Sequence, residues 1–187
     1  MKKMISIAAI LFLLSGIGYA GDVIFKVKGS YFHPSDKAFK DIYGGGMMYG
    51  VEAGAEIRKN LEIWVGGRYF SKKGELSLTR EETKLKIIPI EGGLRYTLSL
   101  RSANLYGGIG ISYYLYKETN PIGNVDWGEL GAVARVGSFV ELNQRWTIDF
   151  YVSYSYCKMR PADFKINIGG IEAGIGIGYR YFWSRKN

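Results

Sequence analysis

The amino-acid sequence predicts an all-β fold: an eight-stranded antiparallel up-and-down barrel that crosses a bilayer, with short turns at one end and longer loops at the other. Three observations carry that expectation. Apolar and polar residues alternate with period two through nearly the whole chain after residue 20. The connections between alternating segments are short and long by turns, and aromatic residues gather at the ends of the apolar faces. Period two marks a strand whose two faces meet different surroundings.

The residues ahead of the first strand read as an export signal. Lys2 and Lys3 form a basic start, Ile5 to Leu14 an apolar run, and Gly18 and Ala20 put small residues where a signal peptidase reads them. This predicts a signal peptide over residues 1–20, cleaved near Ala20, since the apolar run is too short to span a bilayer comfortably. The remainder, residues 21–187, is about 167 residues and is expected to be one barrel domain. No cysteine stands directly after the cleavage point, where Gly21 lies, so a lipoprotein anchor is not expected; Cys157 is the only cysteine, which rules out an internal disulfide.

The strands follow in order. Val23, Phe25, Val27, Gly29 and Tyr31 share a face opposite Lys26, Lys28 and Ser30, and Tyr49, Val51, Ala53, Ala55 and Ile57 oppose Glu52 and Glu56. Leu61, Ile63, Val65, Gly67 and Tyr69 oppose Glu62, Trp64 and Arg68, and Ile88, Ile90, Leu94 and Tyr96 oppose Glu91 and Arg95. The second half repeats the pattern around Leu105–Leu115, Leu130–Val136, Trp146–Tyr156 and Ile171–Tyr181. Each segment is near the roughly 9–11 residues a tilted strand needs to cross a bilayer.

Arg58-Lys59-Asn60, Ser99 to Ala103 and Leu142 to Arg145 are the short connections. Pro34 to Gly46, Ser71 to Lys84, Lys117 to Gly128 and Lys158 to Gly169 are the long ones. A soluble barrel of the lipocalin kind would alternate too, but with its apolar face inward. The distribution of aromatics and charge favours the membrane orientation. Tyr31, Tyr49, Tyr69, Tyr96, Trp146, Tyr154, Tyr156, Tyr179 and Tyr181 sit where interfacial girdles belong, and the middles of the apolar faces carry almost no charge. The formal charge of +8 falls to roughly +6 without Lys2 and Lys3, a balance suited to anionic headgroups; export argues against nucleic acid as a partner.

With its alternating segments and its closing run Gly174-Ile175-Gly176-Ile177-Gly178-Tyr179-Arg180-Tyr181-Phe182-Trp183, the chain resembles the small outer-membrane β-barrels of OmpA/OmpX type. The resemblance implies residence in the outer membrane of a Gram-negative-type bacterium and insertion by the barrel-assembly machinery. It departs from the family pattern at Ser184-Arg185-Lys186-Asn187, which follow the last aromatic residue. Nothing resembles the periplasmic peptidoglycan-binding domain that some members append.

The lumen is the first candidate site. Lys26, Lys28, Glu52, Glu56, Glu62, Arg68, Glu91, Arg95, Arg135, Glu141, Asp149, Glu172 and Arg180 are expected to face inward as a charge network of nearly balanced sign. Eight strands leave an interior just wide enough for side chains, and buried ions must pair, so a closed core is expected. A narrow passive pore beside the inward glycines Gly108, Gly110, Gly174, Gly176 and Gly178 is the alternative, with Tyr106, Tyr114 and Tyr151 able to fill that space. The loops are the second candidate. Lys72, Lys73, Arg80, Lys158 and Arg160 are expected to contact lipopolysaccharide, with Lys84, Lys86 and Lys165 nearby. Leu76, Leu78, Leu85 and Ile87 are expected to extend the third and fourth strands as a protruding adhesive hairpin.

A lipid-modifying enzyme using His33 and Ser35 is the weakest reading, because a lone His-Pro-Ser triplet with Asp36 nearby carries little by itself. No cofactor, metal motif or phosphate-cradling loop is implied, and Gly44-Gly45-Gly46 reads as a flexible loop. The expected role is non-enzymatic, in envelope integrity or surface interaction, by a barrel acting as a monomer.

Overall fold

The computed structural model describes residues 22–75, 82–100, 103–121, 123–159 and 166–182. The signal over residues 1–20, the end of the chain from Trp183, and Leu76, Leu78, Arg80, Arg160 and Lys165 lie outside them.

Eight long strands close a barrel: β1 (Val23–Pro34), β2 (Gly46–Arg58), β3 (Leu61–Glu75), β4 (Glu82–Ser99), β5 (Asn104–Asn120), β6 (Gly123–Glu141), β7 (Trp146–Tyr156) and β10 (Gly170–Tyr181). Each pairs antiparallel with its chain neighbour. β1 completes the circuit by pairing with β10 from Val23 opposite Tyr181 to Pro34 opposite Gly170. Closure leaves no unpaired edge, the only way a sheet can satisfy its backbone inside hydrocarbon. A short helix α1 (Lys37–Tyr43) follows β1, and a small two-stranded piece, β8 (Lys158–Met159) with β9 (Ile166–Asn167), precedes β10.

The turns at one end are tight, each with a local cause. Asn60 adopts a φ of 68°, a left-handed value that Asn tolerates, and its amide donates to Glu56 at 3.1 Å, where the β2–β3 register shifts by a bulge. Asn143 closes the β6–β7 turn by accepting from the amides of Arg145 (2.8 Å) and Trp146 (2.9 Å).

The outward faces are apolar and bare. Val27, Val51, Ile109, Ile111 and Leu130 are all more than 60% exposed, which only a hydrocarbon surround makes favourable. On β4 the outward apolar run from Ile88 to Leu98 covers about 26 Å of bilayer at a 40° tilt, the height of a transmembrane belt. Tyr96, Trp146 and Tyr181 mark its turn end and Tyr31, Tyr49, Tyr69 and Tyr154 its loop end, all exposed.

Two of the expected long loops are shorter than the sequence pattern suggests. β3 and β4 continue to Glu75 and from Glu82, and β5 and β6 run to Asn120 and from Gly123, so two hairpins rise above the belt. The alternation reverses there: Thr83, Leu85 and Ile87 point inward and are buried, while Lys84 is exposed on the outer face. Apolar-outward counting therefore stops at Ile88 although the strand does not. Leu85 and Ile87 thus correct the adhesive-hairpin expectation. They lie inside the barrel mouth, not on a surface. Gly44-Gly45-Gly46 is likewise no featureless loop, because Gly44, at φ 63°, ends α1 and Gly46 opens β2.

Candidate functional site

The lumen is built by residues of even parity on β1, β2 and β10 and their counterparts elsewhere, which point inward because the other parity is held in the apolar belt. Nine of the charged residues expected there are buried: Lys26, Lys28, Glu52, Arg68, Glu91, Arg95, Arg135, Asp149 and Glu172. Glu52 is the hub. It accepts from Lys28 Nζ at 2.9 Å, Arg95 Nη1 at 2.9 Å and Arg135 Nη1, with Lys26 Nζ at 3.5 Å. Asp149 takes Lys26 at 3.3 Å, Lys28 at 3.4 Å and the Tyr106 hydroxyl at 2.8 Å. Glu91 pairs with Arg68 and with Arg135 at 3.2 Å. Glu172 pairs with Arg68 and accepts from Ser30 (2.7 Å) and Tyr151 (2.8 Å).

Aromatic faces take up the remaining cation surface. Lys26 Nζ lies 4.0 Å from the Phe139 centroid, Lys28 Nζ 4.2 Å from Tyr151, and the Arg135 guanidinium 4.7 Å from Trp64. Glycines make room for the rings: a Cβ on Gly110 would stand 3.1 Å from Trp64, and one on Gly174 2.9 Å from Tyr151. The inward glycines thus seat large side chains from neighbouring strands instead of leaving a channel.

Glu56, Glu62, Glu141 and Arg180 are placed differently. They line a polar cavity of about 180 Å³ at the turn end, together with Asp22 and Thr97. Glu62 still reaches Arg95, and Arg180 donates to Glu141 at 3.1 Å. These four lie at the mouth of the lumen, where the barrel opens to water.

The loop end is closed by apolar packing. Asp36 caps α1 by accepting from the amides of Ala38 (2.9 Å) and Phe39 (3.2 Å), and its other oxygen accepts from the Asn167 amide at 3.3 Å. The helix drives Phe39 and Tyr43 into the mouth against Phe32, Met48, Phe70, Leu85, Ile87 and Met159. The Tyr43 hydroxyl sits 3.2 Å from Thr83 Oγ1, which donates to Glu118 at 3.2 Å. Burial raises the Tyr43 hydroxyl pKa above its ordinary value and pushes the Cys157 thiol up to about 12.

This cap is what the sequence reading missed. One signal was present: Asp36 followed by Phe39, Ile42 and Tyr43 is an N-cap with a helical apolar spacing.

A charge-filled interior inside an apolar belt and a closed antiparallel circuit of eight strands decide the class. The fold is that of the small outer-membrane barrels. No family model and no curated protein matches the chain, but solved structures do. Neisserial surface protein A matches with a TM-score of 0.65 at 16% identity, covering 86% of this chain and 99% of that one. The outer membrane protein OprG from Pseudomonas aeruginosa matches with a TM-score of 0.68 at 14% identity, covering 88% and 98%. The attachment invasion locus protein Ail of Yersinia pestis, in complex with the heparin analogue sucrose octasulfate, matches with a TM-score of 0.55 at 14% identity, covering 87% and 99%.

In this outer-membrane-type barrel the remaining candidate residues fall at the loop end. His33 is exposed on the outer face of β1 and Ser35 is exposed beyond it. The Asp36 carboxylate is turned to the α1 amides and Asn167, and among the described residues no hydrogen bond joins His33 to Ser35 or Asp36. Lys72, Lys73 and Lys158 are exposed, with Lys73 paired to Glu82.

Proposed function

We propose that this chain is a non-enzymatic, non-conducting barrel of the bacterial outer membrane, exported by residues 1–20, whose work is done at its outer surface in envelope integrity or surface interaction. The observation that carries the reading is the double closure of the interior. A network of interlocked ions fills the mid-barrel, and a helix with an apolar cluster seals the loop end. A solute would have to strip several buried ion pairs, each costly to break, so transport is disfavoured and the surface remains.

Lipopolysaccharide is the partner proposed for that surface, with Lys72, Lys73, Arg80, Lys158 and Arg160 as candidate contacts and a monomer as the unit. Purified protein in planar bilayers tests the closure. Silence under applied voltage is expected, and steady discrete conductance steps would replace this reading with the passive pore.

A further inference from the structure

The outer face of the hairpins above the belt carries a site that the loop reading does not describe. On β4 the outward residues change from Ile90 and Ile88 to Lys86 and Lys84 without a break in the strand. Across the sheet, Ser71, Lys86, Lys117 and Asp126 form one row, and Lys73, Lys84, Thr119 and Asn124 form the next. Lys86 is therefore directly opposite Lys117, and Lys73 directly opposite Lys84.

Like charges set opposite one another on one face destabilise an antiparallel pair. Among the described side chains, the carboxylates on this face relieve only the flanks. Glu82 pairs with Lys73, and Asp126 lies 3.7 Å from Lys117. No carboxylate forms an ion pair with Lys84 or Lys86 among the described residues. An anion bridging the two central lysines would turn a repulsive ladder into an attractive one.

Position identifies the anion. The lower lysine row is the first outward row above Ile88 and Leu115, both exposed to lipid. Lysine stems can lie along the apolar surface there while their ammonium groups stand at headgroup depth. We propose that Lys84 and Lys86, flanked by Lys73 and Lys117, bind the phosphate groups of an outer-leaflet lipid, the phosphorylated glycolipid core of lipopolysaccharide. The site rests on the outer-membrane reading above, but it lies on strands of the barrel wall instead of on loop tips.

Native mass spectrometry of the full mature barrel with bis-phosphorylated lipid A and with its dephosphorylated form tests the site. Wild type is expected to retain the phosphorylated lipid at least tenfold more strongly than the dephosphorylated one. K84S/K86S should lose that preference and K84R/K86R should keep it. E82Q, which frees Lys73, should increase retention several-fold and keeps the test open should the double serine variant misfold. Equal retention by wild type and K84S/K86S, both shown folded by heat-modifiable mobility, would overturn the proposal. So would complete displacement of lipid A by millimolar inorganic phosphate, which would make the ligand a soluble anion. Bilayer conductance of the same variants separates this site from the closed-barrel reading, because a silent barrel without lipid preference sinks the lipid contacts and leaves the closure standing.

Discussion

Glu52 shows how much can depend on one buried carboxylate. Four cations converge on it, and they outnumber the acceptors that could replace it. Glu52→Gln keeps the shape and removes the charge, leaving Lys26 and Lys28 to Asp149 and Arg95 to Glu62. Removing one partner of a buried ion pair costs roughly 3–5 kcal/mol, because the other partner stays buried. The midpoint of urea unfolding in detergent should fall accordingly. A shift below about 1 kcal/mol would mean that water already solvates the lumen and that the network is looser than its geometry. Cys157 gives a second reading at the same scale. Its thiol is fully buried and ionises near 12 instead of 9.0, so at pH 8 it should resist maleimide while the barrel is folded. The sign for stability follows. A group whose pKa is raised by burial favours the closed cap below pH 9 and loses that contribution as pH climbs from 9 toward 12. Labelling should therefore accelerate in alkali more steeply than thiol ionisation in the exposed state accounts for.

Among the elements, α1 is the one that could fail without the barrel failing. Seven residues are too few to hold a helix in water, so it depends on the Asp36 cap and on Phe39 and Tyr43 in the mouth. Asp36→Ala removes the carboxylate oxygen that accepts from the Ala38 and Phe39 amides and the link to Asn167, a loss of about 0.5–2 kcal/mol for the cap. Cys157 should then label several-fold faster at pH 8 while heat-modifiable mobility stays unchanged; an unaltered rate would show that apolar packing alone holds the lid. The same elements explain what was legible in the sequence. The eight strands were readable wherever lipid lies outside, because Phe25-Lys26-Val27-Lys28 and its counterparts offer only one apolar face. Above Ile88 the surroundings exchange places, with water outside and α1 inside. Lys84-Leu85-Lys86-Ile87 alternates just as well but in the opposite sense, and a template tuned to the belt turns Leu85 and Ile87 outward as the face of a protruding hairpin. The inward charges were legible from parity alone, but their partners were not. Glu52 meets Arg135 from across the lumen, 83 residues away in the chain, and no spacing rule reaches that far. The helix escaped notice because one turn and a half of Phe39, Ile42 and Tyr43 is too short a period to stand out beside strands.

At the scale of the molecule the barrel has two closures in series, and they differ in chemistry. The apolar cap excludes water by packing, whereas the mid-barrel network excludes it by filling the bore with paired ions. Replacing residues 37–43 by a glycine-serine linker should therefore leave planar bilayers silent, since the network remains. Opening the second closure requires removing side-chain bulk as well as charge. Arg95→Ser with Arg135→Ser in the linker background deletes the two guanidinium groups that span the hub, beside Trp64 and Tyr106. The intact network sets Lys26, Lys28, Arg68, Arg95 and Arg135 against Glu52, Glu62, Glu91, Asp149 and Glu172. Without the two arginines the bore is left with an excess of carboxylate. Any conductance that appears should then favour potassium over chloride, seen as a reversal potential of cation-selective sign in a KCl gradient. Anion selectivity would mean that current passes the lysines Lys26 and Lys28 on another side of the lumen. Conductance from the linker variant alone would show that the cap, and not the ions, had been holding the barrel shut.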